Sequence, residues 1–118
     1  MLGWNKLIDS EVFYEIIDGD VCHLDTIIAL FEEQAEENLE AMERALKQSD
    51  IQAFERAAHD LKNLGRNIAA QKLIDYSDQL ESLAINSKFD EASDRLGKIK
   101  SLLKRAKEEL NSLRKKWS

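Results

Sequence analysis

The chain has 118 residues, too few for a second independent core, no proline, four glycines, and 23 acidic against 17 basic side chains for a net charge of -6. Its bias to Leu, Ala, Glu, Lys and Arg favours long helices over strands, so one all-helical domain over residues 1–118 is expected. No apolar run approaches the roughly 18 residues of a membrane span, no basic-then-apolar leader opens the chain, and the single Cys22 excludes an internal disulfide or a thiolate cluster; a cytoplasmic chain without membrane insertion is expected.

A short helix of about residues 9–18 comes first. Asp9 or Ser10 can cap it, Val12, Phe13, Ile16 and Ile17 would dock it, and Gly19 supplies the left-handed residue that commonly follows a helix end. Cys22 reads as a half-buried packing residue and His23 as an ordinary surface or packing histidine. A long helix then runs from about Leu24 to Gln48, with Ile27, Ile28, Phe31, Ala35, Leu39, Met42 and Leu46 on its inner stripe. Its other face carries Glu32, Glu33, Glu36, Glu37, Glu40 and Glu43 against Arg44 and Lys47, a solvated acidic surface.

Ser49 and Asp50 end that helix and cap the next, predicted over Ile51 to about Asn67. Ile51, Phe54, Ala58, Leu61, Gly65 and Ile68 recur at three- and four-residue steps and form a stripe that can be buried. His59 falls off the stripe. Glu55, Arg56, Lys62, Asn63 and Arg66, spaced three, four or seven residues from it, share its outward face, so an exposed imidazole acquires a cationic flank. That suits a nucleophile that meets a phosphoryl group on another protein better than one working in a closed cleft.

After a tight connection, a helix from about Ala70 to Ala84 would use Leu73, Tyr76, Leu80 and Leu83, with a break at Asn86–Ser87. The last runs from about Phe89 to Trp117 on Ala92, Leu96, Ile99, Leu103, Ala106, Leu110 and Leu113. It is strongly basic, through Lys98, Lys100, Lys104, Arg105, Lys107, Arg114, Lys115 and Lys116 against Glu108 and Glu109, and its tail from Arg114 to Ser118 is expected to project beyond its neighbours. Short connections between long amphipathic helices favour antiparallel neighbours, hence an up-down-up-down four-helix bundle over about 24–117, capped at one end by the short N-terminal helix. Trp4, Phe31 and Phe54 are assigned to packing.

Ala58-His59, Leu61, Lys62, Asn63, Gly65, Ala69-Ala70, Leu73 and Leu80-Glu81, preceded by Leu30-Phe31 and Gln34, resemble the histidine-containing phosphotransfer (HPt) domain of bacterial two-component phosphorelays along nearly the whole chain. The resemblance implies a phosphocarrier that accepts a phosphoryl group on His59 from a receiver-domain aspartyl phosphate and passes it to another receiver. It implies Lys62 as phosphoryl stabiliser and Gln34 as supporting contact, with Asn63, Arg66, Arg56 and Gly65 supporting or docking. Response-regulator receivers are the implied partners, with a hybrid sensor histidine kinase as a further one, for a monomeric chain; Mg²⁺ would come from the receiver, and the chain needs no cofactor or metal of its own. Two positions depart from the family pattern. Asn63 stands for Gly on the docking surface, where it would slow transfer or narrow partner choice. Ala69 stands for a later Gly, a change expected to matter little because the side chain stays small.

The chemistry needs no activated base: an ordinary imidazole, with a pKa of about 6.5, is roughly three-quarters neutral at pH 7. No Gly-rich phosphate loop or Walker lysine is present, so the chain would carry phosphate without an ATP-dependent kinase activity of its own. Two alternatives stand beside this. His59-Asp60-Leu61-Lys62-Asn63 also resembles the histidine box of sensor-kinase dimerisation hairpins, with Leu64 where Pro is usual, and on that likeness Asn63 would assist receiver dephosphorylation. A non-catalytic interaction bundle using the basic last helix is the other; nucleic acid is not an expected partner.

Overall fold

The computed structural model describes residues 6–86 and 88–117, so Trp4, Ser87 and Ser118 lie outside the described residues. The helices are α1 (Ser10–Ile16), α2 (Leu24–Gln48), α3 (Ile51–Asn67), α4 (Gln71–Ile85) and α5 (Phe89–Trp117), with a single 3₁₀ turn at Val21–His23 that the sequence reading omitted. Caps sit where short acidic side chains were expected. Asp9 Oδ1 accepts from the Val12 N–H at 3.2 Å, and Asp50 Oδ1 from the Ala53 N–H at 3.1 Å.

Helices α2 to α5 close a ring in which α2 packs on α3 and α5, and α4 on the same two. Their directions can be read from the polar contacts between them. Lys100 pairs with Glu43, Lys107 with Glu32 and Arg114 with Asp25, so α5 runs opposite to α2. Arg95 reaches Gln79, and the Lys98 ammonium stands over the Tyr76 ring at 5.9 Å, so α5 also opposes α4. The basic and acidic stretches thus face one another. The core is the expected stripe set, with Phe54, Ala58, Leu61 and Ile68 of the α3 segment and all seven named α5 residues buried.

Three helices end in the same way, each on a left-handed residue that is not glycine: Asp18 (φ 54), Ser49 (φ 53) and Ala69 (φ 56). After each, a pair of backbone bonds closes the end, as in Ala70 N–H to Gly65 O at 2.9 Å and Ala69 N–H to Arg66 O at 3.3 Å. Gly19 (φ 68) therefore follows the capping position, which Asp18 holds. Ala69, expected to matter little in place of a glycine, sits at one of these left-handed positions. A Cβ in this conformation costs roughly 1–2 kcal/mol, partly offset in a glycine variant by the greater entropy of its unfolded chain. Ala69→Gly is expected to raise the thermal unfolding midpoint by about 2–4 °C, measured by circular dichroism; a fall would show that the strain is relieved elsewhere.

Three expectations fail around α1. Of the four residues expected to dock it, Phe13 is buried and Ile17 half-buried, while Val12 and Ile16 are exposed. Cys22 is exposed. The α5 tail does not project as far as Trp117, whose ring stacks on Phe13 at 6.0 Å and meets Tyr14 edge-on at 5.3 Å. Leu7 and Ile8, unassigned from sequence, are core residues. They form an extended strap: the Glu109 carboxylate accepts both their backbone N–H groups at 2.8–2.9 Å, and the Asp9 N–H bonds Ala69 O at 3.0 Å.

Candidate functional site

His59 projects from α3 with its side chain 51% exposed, and across the α3–α4 seam its Nδ1 lies 3.7 Å from Glu81 Oε2. That is ion-pair range, too long for a hydrogen bond. The other Glu81 oxygen accepts from Lys62 Nζ at 2.9 Å, and Asp78 Oδ1 accepts from the same ammonium at 3.2 Å. Lys62 and Glu81 are largely covered, at 13% and 19% side-chain exposure. Glu81 above all, and then Asp78, push the Lys62 ammonium above the ordinary lysine pKa by hydrogen bonding to its charged form. The stabilisation from that shift is full below the ordinary lysine pKa and is lost as pH rises through the raised folded value, so this ion-pair cluster should persist across neutral pH and open only in alkali.

Gly65 brings the two helices close enough for this. A Cβ there would stand 2.9 Å from Ile74 Cγ1 and 3.2 Å from the Ile74 nitrogen. The residue is buried in the seam, so it sets helix spacing instead of forming part of a docking surface.

The outward face splits into two sides. On the α4 side an open depression of about 470 Å³ is lined by Gln52, Glu55, Arg56, His59 and Glu81. On the α2 side Gln34, Asn38, Asp60, Asn63 and Asn67 line a polar hollow of about 280 Å³. This passes by way of Gln34, Leu64 and Asn67 into an apolar groove of about 340 Å³ walled by Ile16, Ile27, Leu30 and Phe31. Gln34 and Asn63 thus line the same hollow. Asn63 accepts from Arg66 Nη1 at 3.1 Å, which turns both toward each other. The expected cationic flank is therefore narrower than spacing suggested: Lys62 is engaged by acids, Arg66 by an amide, and Arg56 shares the depression with His59.

Glu81 and Asp78 were given no role from the sequence. Glu81 carried a signal, being half of the Leu80-Glu81 pair, but its distance to His59 depends on the α3–α4 register. His23 pairs with Asp20 through Nδ1 at 2.7 Å, apart from His59. Among the described residues no three His, Cys, Asp or Glu side chains converge as a metal site would require, and no helix is long and apolar enough to cross a membrane.

A family model described as Hpt domain matches residues 26–115. No curated protein and no solved structure matched the chain.

Proposed function

Because the chain belongs to the Hpt domain family, whose members take part in histidine phosphotransfer with receiver domains in two-component signalling, we propose that it carries the phosphoryl group on His59 Nε2. The observation that carries this reading is the pairing of an exposed imidazole with a covered carboxylate, Glu81 Oε2, 3.7 Å from Nδ1. A carboxylate on that side favours the tautomer with its proton on Nδ1, leaving the Nε2 lone pair directed to solvent.

The transfer then balances without a general base. Nε2 attacks phosphorus in line, the Nε2–P bond forms, and the P–O bond of the receiver's aspartyl phosphate breaks with its electron pair returning to the aspartate. The proton stays on Nδ1, the ring becomes cationic, and Glu81 stabilises the charge it gains. A divalent cation, expected in the receiver, would supply charge neutralisation for the phosphoryl oxygens. Both bonds are labile, so the phosphoryl group can pass on to a second receiver by the reverse of the same step. The apolar groove beside the site, with Leu30 half exposed on its wall, offers a receiver a docking surface. The same reading gives a monomeric carrier in the bacterial cytoplasm, supplied by a hybrid sensor kinase or a free receiver.

The test is transfer from ³²P-labelled receiver domains to the wild-type chain. Acid-labile, base-stable label on the chain supports the reading. No label from a broad panel of receivers, with the helical circular dichroism spectrum intact, overturns it.

A further inference from the structure

Resting on the reading of His59 as the phosphoryl carrier, we infer that Arg56 is the cation that meets the phosphoryl group, and that Lys62 is a positioning residue acting on His59 through Glu81. The Lys62 ammonium has three donors, and two are spent on Glu81 Oε1 at 2.9 Å and Asp78 Oδ1 at 3.2 Å. One donor remains, but the side chain, 13% exposed and held by these two charge-assisted bonds, does not line the depression that holds His59. Lys62 instead fixes the carboxylate that faces Nδ1.

Arg56 stands one helical turn before His59, exposed, and lines the same depression. Among the described residues no hydrogen bond or ion pair engages its guanidinium. A planar fork of donors can grip two phosphoryl oxygens at once. The local charge balance calls for such a group: Glu55 and Glu81 line the depression too, so a nearly dianionic phosphoryl group arriving there meets two carboxylates, with Arg56 as the lining cation among the described residues.

Single-turnover transfer from saturating phosphorylated receiver, using the full chain, tests this with Arg56→Ala, Arg56→Lys and Lys62→Ala, each checked for an unchanged helical spectrum. Arg56→Ala is expected to slow the saturated step by about 10- to 100-fold, with partial recovery in Arg56→Lys and unchanged imidazole ¹⁵N shifts. Lys62→Ala is expected to alter those ¹⁵N shifts, which report the His59 tautomer, and the pH profile of transfer. A saturated rate within twofold of wild type in Arg56→Ala overturns the proposal, as does a loss seen only below saturation, which reassigns Arg56 to docking. A collapse of transfer in Lys62→Ala with the tautomer unmoved also overturns it, by returning Lys62 to the phosphoryl group. If the wild type itself takes no label, the carrier reading has failed and takes this inference with it.

Discussion

His59→Gln is expected to abolish phosphoryl acceptance while moving the thermal midpoint by less than about 2 °C. The side chain is half exposed, and its nearest charged partner, Glu81, stays anchored by Lys62 at 2.9 Å whether or not the imidazole is present. Glutamine is a good helix former of similar reach, so α3 loses no propensity at an exposed position. Its amide nitrogen has no available lone pair to attack phosphorus, and no neighbouring group can substitute for the Nε2–P bond. The loss should therefore be complete, not graded. The chain holds two histidines, and His23 is the more exposed, at 72%, with its Nδ1 on Asp20. Acid-labile label persisting in His59→Gln would make His23 the acceptor and remove the basis for assigning the site to the α3–α4 seam.

The second large effect is on stability. Gly65→Leu is expected to cost about 3 kcal/mol or more, and Gly65→Ala about 1 kcal/mol net, read as shifts in the urea midpoint at constant slope. Replacing a helical glycine normally gains about 1 kcal/mol. Here the new Cβ meets Ile74 at 2.9 Å on its side chain and 3.2 Å on its backbone nitrogen. The side chain can turn aside, but the backbone yields only if α4 retreats from α3. Such a retreat widens the seam across which Glu81 faces His59 and Lys62, so transfer by the alanine variant should fall before its fold does. A stabilised Gly65→Ala variant would show that the helix spacing is set by other contacts.

The long elements were legible because one-dimensional signals determine them. The apolar period and the Asp50 cap placed α2, α3 and α5 at their observed ends, and Asp9 caps α1 as expected, but α1 stops at Ile16, short of the expected 18, and α4 lies one residue later at each end, at Gln71–Ile85. The outward position of His59 was legible for the same reason, since falling off a buried stripe is itself a periodic property. What the sequence hid depends on register between distant segments. Glu81 meets Lys62 only after α3 and α4 have paired, and Leu7 and Ile8 become core only because Glu109 caps their amides. The left-handed Ala69 was hidden because a small side chain gives no local sign of the backbone angle it must adopt.

The strap of Leu7 to Asp9 links the start of the chain to α5 and to the α3–α4 connection. Its bonds to Glu109 close loops of 101–102 residues, whereas the helical hairpins close over a few. Loop closure on that scale is, with the Phe13–Trp117 contact, among the most demanding described, so it comes late in folding, after the hairpins have brought residues 69 and 109 near each other. The order reverses on unfolding: amides of the strap should exchange with solvent through openings far smaller than global unfolding, while those of the bundle interior wait for the whole. The strap thus acts as a latch fastened last over a finished bundle, next to the connection that carries the strained Ala69.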